Sequence, residues 1–261
     1  DPPTISLPEF IEEGLSPAEA AERMALHFSS ISKEYPPLNI DTLPDRVKMK
    51  ILAENVMADA PKIEPYEVYE KFSNRKKKST CVPGDIPPKL KKEFGPELAS
   101  PTAEIFNSIN QTGEYPSQWK TEFVTPIPKT TPPDVLDDLR NISLTADLSR
   151  DSDQFLVEWL LPYIKPRLDP GQFGGLKGGS IVQYLVVFFH FILSNLDKTS
   201  RAIIAAMVDF SKGFNRLNHN KILIRLSDWA VPGWLLKILA SYLKNRSMIL
   251  RYKNEESLEH I

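Results

Sequence analysis

An aspartate follows a strand-length apolar stretch of the sequence. Residues 202–208 form a continuous run that includes Ile203, Ile204 and Val208, and Asp209 comes directly after it. Such a run is typical of a central strand covered on both faces, and a carboxylate at its end would be held rigidly at the rim, as a metal ligand must be. The spacing alone favours an ordinary aspartate that caps the next turn. Asp209 is therefore a candidate metal ligand that needs support from its surroundings.

Two other segments have compositions that could bind phosphate. Residues 75–78 read Arg-Lys-Lys-Lys and could contact phosphates or simply form a solvated loop. The glycine-rich segment 171–179 lacks the Gly-x-x-x-x-Gly-Lys-Ser/Thr pattern and is therefore not a P-loop. The single cysteine, Cys81, excludes a disulfide within the chain and fits a reducing compartment.

The elements that must position these residues follow from apolar spacing and from proline and capping signals. Ser16-Pro17-Ala18-Glu19 reads as a capping box at a helix start. The predicted helices are 17–32, a weaker stretch at 43–60, then 65–74, 99–111, 153–167, 181–196, 220–227 and 233–243. The predicted strands are 123–127 with 139–144 as its hairpin partner, 202–208, and 247–252 entering a second hairpin.

The apolar helix 181–196 is shorter than the roughly 20 residues that span a membrane. We therefore expect it to be a buried core helix, with His190 as a satisfied core histidine. The start of the sequence, residues 1–8, shows no basic segment followed by an apolar run, so no signal peptide is expected.

Composition predicts a soluble globular protein with a core. Of 261 residues, 41% are hydrophobic and 25% charged, and 23 prolines against 11 glycines suit an irregular α+β protein with many rigid connections. The balance of 32 basic and 34 acidic residues gives a net charge of -2, so any nucleic-acid binding must come from local clusters.

The residues around Asp209 carry a family resemblance. Residues 208–219, Val-Asp-Phe-Ser-Lys-Gly-Phe-Asn-Arg-Leu-Asn-His, resemble motif A of reverse transcriptases, in the form found in non-LTR (LINE-type) retrotransposons. Further stretches resemble the same family in the same order: residues 113–120, 124–129, 139–145, 172–174 with Lys177 and Gly178, and 241–246. Each stretch alone is common, but the ordered set is specific and favours Asp209 as a metal ligand.

The resemblance implies nucleotidyl transfer assisted by two Mg²⁺ ions about 4 Å apart. Asp209 would be the first carboxylate ligand, and the backbone carbonyl of Phe210 would be a further ligand. Lys212 and Gly213 would lie against the triphosphate. Phe214 would pack under the sugar and exclude a ribose 2′-hydroxyl, which favours DNA as the product over RNA.

Three more basic residues match positions of the family. Lys129 and Arg140 would hold the incoming triphosphate from a fingers hairpin, since an arginine fork binds phosphate oxygens in pairs. Lys177 would contact the template backbone. Judged without the resemblance, Lys129 and Arg140 are solvated hairpin charges and Lys177 is a surface lysine.

The sequence also departs from the family pattern. The Gln-Gly motif and the later Tyr/Phe-x-Asp-Asp pair do not occur before Ile261, and the family's usual residues are replaced at Gly213, Asn215 and Asn141. Residues 150–153 are polar where the family has an apolar helix start. With one of three metal carboxylates present, we expect the chain alone to lack polymerase activity, as a decayed copy or a shortened fragment would.

The resemblance predicts an α+β fold, the fingers and partial palm of a right-hand polymerase over residues 65–261, with an α-helical N-terminal extension over 1–64. The implied activity is RNA-directed DNA synthesis with Mg²⁺, an RNA template, a DNA primer and deoxynucleoside triphosphates, in an intracellular protein without a membrane partner. The alternative is a non-catalytic nucleic-acid-binding or protein-interaction relic of such an element.

Overall fold

The computed structural model describes residues 14–76, 81–130, 133–198 and 202–261. These residues divide into two compact units. The first comprises the chain up to Leu160 together with Phe214–Ile261, and the second is Leu161–Gly213. Helices and a small four-stranded sheet are both present, which agrees with the predicted α+β class.

The helices and strands have the following bounds. The α-helices are α1 (Pro17–Ser32), α2 (Asp45–Ile51), α3 (Pro65–Ser73), α4 (Pro88–Glu93), α5 (Gly95–Thr112), α6 (Asp147–Ile164), α7 (Ile181–Leu196), α8 (His219–Asp228) and α9 (Gly233–Leu243). The strands are β1 (Thr121–Pro128), β2 (Leu139–Leu144), β3 (Ser247–Tyr252) and β4 (Glu255–Glu256). Short 3₁₀ turns lie at Ile40–Thr42, Val56–Asp59, Ser117–Trp119, Leu136–Asp138 and Lys165–Arg167.

Helix α1 begins with the predicted capping box. The Glu19 N–H donates to Ser16 Oγ at 3.3 Å, and the Ser16 N–H donates to Glu19 Oε2 at 2.8 Å. Pro17 at the first helical position needs no backbone partner. The buried side of the helix carries Met24 and Phe28, as the spacing predicts.

The sheet has the strand order β2-β1-β3-β4. Strands β1 and β2 form the predicted antiparallel hairpin, in a register that runs from Phe123 opposite Leu144 to Pro128 opposite Leu139. Strands β1 and β3 are parallel, with Thr121 opposite Ser247. Strand β3 turns into β4, which confirms the second predicted hairpin. The parallel pairing joins segments about half the chain apart, and local patterns could not predict it.

One face of this sheet packs against α1. Val124, Leu139 and Leu250 are buried together with Met24 and Phe28 of the helix. Each such side chain contributes about 1.5–3 kcal/mol by leaving water. Helix α1 belongs to the region predicted as an N-terminal extension, and it shares a core with the sheet; the boundary near residue 64 stays a prediction.

A second group of buried side chains joins the remaining helices of the first unit. Phe106 on α5 makes edge-on contacts with Trp119 and Phe155, at centroid distances of 6.1 and 5.9 Å. Trp159 on α6 meets Trp234 on α9 at 5.4 Å. These aromatic contacts hold α5, α6 and α9 around one centre.

The predicted helix at 43–60 is interrupted. Helix α2 ends at Ile51, and the chain resumes only as the 3₁₀ turn Val56–Asp59. Asn55 adopts a left-handed conformation with φ of 56°, which an α-helix cannot contain. Asparagine tolerates this conformation better than most residues, so the break lies where the sequence permits it.

Helix α7 forms as predicted but is not buried. Ser180 and Gln183 form a capping box at its start, yet none of its residues is buried; Ile181 is 78% exposed and His190 is exposed. The expectation of a core helix with a core histidine is therefore wrong for this structure. Among the described contacts within the second unit, the ring centre of Tyr184 on α7 lies 6.1 Å from that of Phe173 in the preceding loop.

Residues 202–208 do not form the predicted strand. They are irregular, and Ile204 is 95% exposed. A strand is stable only when its backbone groups pair with a neighbour, and no described segment pairs with this one. The strand predicted from the apolar composition of this segment is therefore wrong for this structure. Across the described ranges, no helix is long and apolar enough to cross a membrane.

Candidate functional site

The segment that resembles motif A lies at the end of the second unit. Asp209 is exposed, and Phe210 beside it is 82% exposed. The chain turns through residues 211–216, where Lys212 has a left-handed φ of 54°. Because residues 202–208 are not paired in a sheet, the rigid support expected for Asp209 is missing in this structure.

Phe214 begins the return to the first unit and is 93% exposed. Its ring is thus not a core side chain. After it, Asn218 caps helix α8 by accepting the Lys221 N–H at 3.0 Å on its Oδ1. An exposed aromatic after a turn fits a contact with a ligand, and also fits a surface that another polypeptide covers.

The carboxylates do not assemble a metal centre within the described part of the chain. No group of three or more His, Cys, Asp or Glu side chains there is placed to hold a metal ion. Two Mg²⁺ ions need several oxygen ligands around them. Asp209 and the Phe210 carbonyl alone therefore do not fit the two-metal site that the resemblance implies.

Lys129 and Arg140 lie on the β1–β2 hairpin. The Lys129 N–H donates to the Asp138 carbonyl at 2.7 Å, which extends the ladder one pair beyond β1. Arg140 is opposite Ile127 and is exposed. Residues two apart on a strand point to the same side, so Lys129 and Arg140 share the face that is turned away from buried Val124. The hairpin thus brings these two predicted site residues to one exposed face.

The other predicted residues lie in the second unit. Lys177 is exposed in the glycine-rich loop, and Lys212 and Gly213 lie in the turn after Asp209. An added Cβ at Gly213 would be 3.2 Å from the Phe210 Cβ, so the turn is tight at this position.

Arg75, the first residue of the basic cluster 75–78, does not face solvent. Its guanidinium donates to Asp147 Oδ1 at 2.8 Å and also binds Asp151. Lys91, which is fully buried, donates to Asp151 Oδ2 at 2.6 Å and pairs with Asp147 as well. Arg75 is therefore neither a phosphate contact nor a solvated charge. Lys76 is exposed, and Lys77 and Lys78 lie outside the described residues.

This ion-pair cluster, Arg75, Lys91, Asp147 and Asp151, also explains the polar start of α6. Asp147 and Asp151 are four residues apart and so lie on one face of the helix, where both are buried. The sequence shows this spacing, but the cations that pair with the carboxylates come from α4 and from beyond the end of α3. Nothing local identifies them as partners.

A second polar network joins two of the family-like stretches. The Tyr115 N–H donates to Ser241 Oγ at 2.9 Å, and Ser241 Oγ donates to Glu114 Oε2 at 3.1 Å. The Tyr115 and Tyr242 rings meet at 5.0 Å. Residues 113–120 and 241–246 are thus neighbours in space, although more than 120 residues separate them in the sequence.

Tyr115 continues this network inward. Its hydroxyl donates to Asp153 Oδ1 at 2.8 Å and lies 2.9 Å from Ser149 Oγ. Burial raises the pKa of the Asp153 carboxyl, and the Tyr115 hydrogen bond acts against that rise. Burial likewise raises the pKa of Tyr115, which keeps the hydroxyl protonated and able to donate.

The motif order and the comparisons with known proteins agree. The chain is similar to RNA-directed DNA polymerases of transposable elements. It is 26% identical over 162 residues to the probable RNA-directed DNA polymerase from transposon BS of Drosophila melanogaster, covering 61% of this chain and 18% of that protein. It is 28% identical over 149 residues to the RNA-directed DNA polymerase from mobile element jockey of the same organism, covering 56% of this chain and 16% of that protein.

No family model matches the sequence. The matched region spans less than a fifth of the length of the two curated relatives. The predicted kinship with retrotransposon reverse transcriptases is confirmed by these two proteins, while the fingers-and-palm fold itself stays a prediction.

Proposed function

We propose that this chain supplies the fingers and the first part of the palm of an RNA-directed DNA polymerase. Residues 65–261 would form this part and residues 1–64 its helical extension. The complete enzyme would work inside the cell on an RNA template, a DNA primer and deoxynucleoside triphosphates. The observation that carries the proposal is the ordered set of family-like stretches ending in the Asp209 segment, in a chain similar to two retrotransposon polymerases.

Asp209 and the carbonyl of Phe210 would provide part of the ligand set for the two Mg²⁺ ions. Bound magnesium would stabilise charge on the attacking and leaving oxygens of nucleotidyl transfer. Other parts of the complete enzyme would supply the remaining carboxylates, which the described residues do not assemble. Lys212 and Gly213 would lie beside the triphosphate, and Phe214 would face the sugar and exclude a 2′-hydroxyl.

The β1–β2 hairpin gives this proposal geometric support. Lys129 and Arg140 share one exposed face, as two groups that grip a single triphosphate must. Neither is a member of the buried ion-pair cluster that neutralises Arg75 and Lys91. Lys177 would contact the template from the glycine-rich loop.

We expect the 261-residue chain alone to be inactive. Primer extension with an oligo(dT) primer on poly(rA), Mg²⁺ and dTTP tests this directly, and any template-dependent incorporation by the chain would contradict it. The informative comparison is with the product of the transcript read in frame beyond Ile261. If that product extends the primer, Asp209→Asn should abolish extension, because it removes the charge of one metal ligand.

The matched control for that variant is Asp197→Asn, since Asp197 is an exposed carboxylate at the end of α7. Full activity of the Asp209→Asn protein would refute the assigned role of this carboxylate. A longer product that has no polymerase activity at all would refute the proposed function.

The alternative function is a non-catalytic nucleic-acid-binding or protein-interaction module. The lack of a multi-carboxylate group among the described residues favours it over catalysis by this chain alone. Binding of RNA that weakens steeply with salt would support a nucleic-acid role rather than a protein scaffold.

A further inference from the structure

Three basic residues meet at the edge where the parallel strands β1 and β3 begin. Thr121 is opposite Ser247, and the Ser247 N–H donates to the Lys120 carbonyl at 3.1 Å. Lys120 and Arg246 therefore lie opposite each other, one position before each strand. Lys244 lies two residues earlier, at the end of α9. We call Lys120, Lys244 and Arg246 the basic triad.

Among the described residues, no direct ion pair is formed by the side chains of the triad. In the described part of the chain, none of the three forms an ion pair with a carboxylate, whereas Lys71, Arg75 and Lys91 all do. Lys244 is exposed and Lys120 and Arg246 are half-buried. Like charges placed directly across a sheet are destabilising.

The position of Arg246 is fixed by its neighbours. Its guanidinium carbon lies 4.8 Å from the centre of the Tyr242 ring, and one of its nitrogens donates to the Tyr242 carbonyl at 3.5 Å. Both contacts orient the group without removing its charge. Burial lowers the pKa of Lys120, the nearby Glu114 carboxylate acts against that decrease, and the Arg246 and Lys244 cations add to it.

Three carboxylates lie near the triad and keep their own positions through hydrogen bonds from hydroxyl groups. Glu114 accepts from Ser241, Asp153 from Tyr115, and Glu259 from Thr121. His219, the first residue of α8, is half-buried, and burial followed by the Arg246 cation lowers its pKa. It is therefore expected to be neutral at pH 7, so the positive charge at this edge comes from the triad itself.

We propose that the basic triad binds the phosphate backbone of single-stranded RNA. Arginine and lysine supply the charge-assisted donors that phosphate oxygens accept. The ligand class rests on the proposed function, since the two relatives are named as RNA-directed polymerases.

The triad is distinct from the triphosphate position assigned to Lys129 and Arg140. Lys120 and Lys129 bracket β1, and nine residues of extended chain separate them by about 30 Å. A single nucleotide cannot reach both ends, but a polynucleotide strand can. The triad would therefore act as a separate anchor for the RNA strand and not as part of the nucleotide site.

Fluorescence anisotropy of a labelled single-stranded RNA, titrated with the intact 261-residue chain over a range of salt concentrations, tests the proposal. The variant Lys120→Gln/Lys244→Gln/Arg246→Gln should bind at least about tenfold more weakly at low salt. The slope of log K against log salt should fall by about 2, because each lost phosphate contact on a single strand contributes about 0.7. The matched control is Lys33→Gln/Lys62→Gln/Lys89→Gln, which removes three exposed lysines elsewhere and should leave the slope unchanged.

Two further variants test whether weaker RNA binding results from a folding defect. Lys244 is exposed, so Lys244→Gln alone should lower the slope by about 0.7 without changing the urea midpoint. Lys120→Arg keeps the charge and should keep the slope. A triad variant that binds RNA with the wild-type slope overturns the inference and leaves the proposed function intact.

Other outcomes separate the two proposals. If the wild-type chain binds no RNA, both this inference and the nucleic-acid role of the chain fail. If the triad variant loses affinity for a polyglutamate peptide but not for RNA, the edge is a protein-docking site and the inference is wrong.

Discussion

At the scale of single residues, Asp153 shows how burial and a hydrogen bond oppose each other. Burial disfavours the carboxylate and raises its pKa above the ordinary value of 3.8, while the Tyr115 hydroxyl favours the charged form. The folded protein therefore holds this proton more tightly than the unfolded chain does. The contribution of the group to stability is highest below pH 3.8 and decreases as the pH rises through the raised value.

The variant Asp153→Asn tests this sign. The asparagine side chain can still accept a hydrogen bond from Tyr115 but cannot ionise. We therefore compare the free energy of unfolding of the wild type with that of the variant. The wild-type value minus the variant value should fall as the pH rises from 3.8. Urea unfolding at several pH values measures it. A difference that rises with pH would mean that the folded protein prefers the carboxylate.

At the same scale, the candidate site residues were named from resemblance and not from local chemistry. Lys129 and Arg140 lie on the predicted hairpin, because the β-branched and aromatic composition of residues 123–127 between prolines predicts a strand and residues 139–144 are its partner. Lys120 and Arg246 carry no such signal, because they become neighbours only through the parallel pairing of β1 with β3. Arg75 was assigned to the surface because its carboxylate partners lie more than 70 residues away.

At the scale of elements, the ion-pair cluster fastens α4 and the end of α3 to α6. Lys91 and Asp151 are fully buried, so each depends on the other's charge. Removing one partner leaves an uncompensated buried charge, which costs about 3–5 kcal/mol. One substitution in the cluster is therefore expected to weaken the packing of α4 and the end of α3 against α6.

Lys91→Met should therefore lower the free energy of unfolding by about 3–5 kcal/mol. Urea denaturation measures this change, and the slope of the unfolding free energy against urea concentration should stay the same. Lys89→Met is the matched control, because Lys89 is on the same helix and exposed, and should change stability by less than about 0.5 kcal/mol. Equal midpoints for the two variants would show that the cluster contributes nothing to stability.

The elements were predicted best where capping and periodicity agree. Helix α1 has both, and its predicted bounds are those observed. Residues 202–208 have the composition of a buried strand but lack a partner, and α7 has the composition of a core helix but lacks a cover. Propensity is a local property, whereas burial depends on what else is present to pack against.

At the scale of the whole molecule, α7 places a continuous apolar surface in water. Val182, Val186, Phe189 and Leu193 recur at helical spacing and each is more than half exposed. Exposed patches of this kind mark interaction surfaces or cause aggregation. The chain should therefore bind an apolar dye such as anilinonaphthalene sulfonate while folded.

The variant Val186→Lys/Phe189→Lys should reduce that dye fluorescence substantially and raise the concentration at which the chain begins to aggregate. Met49→Lys/Leu52→Lys removes two exposed apolar side chains from α2 and the residue that follows it, and should have little effect on either dye fluorescence or aggregation. Dye fluorescence unchanged by the α7 variant would mean that this helix is covered in solution.

The parallel pairing of β1 with β3 also sets an order of folding events. The β1–β2 hairpin closes a loop of fewer than 20 residues, but the pairing of Thr121 with Ser247 must close one of more than 120. Loop-closure entropy grows with that separation, and contacts between distant segments slow folding. During synthesis, the hairpin can form long before β3 has left the ribosome. The middle of the sheet, and with it the edge that carries the basic triad, is therefore expected to be completed last.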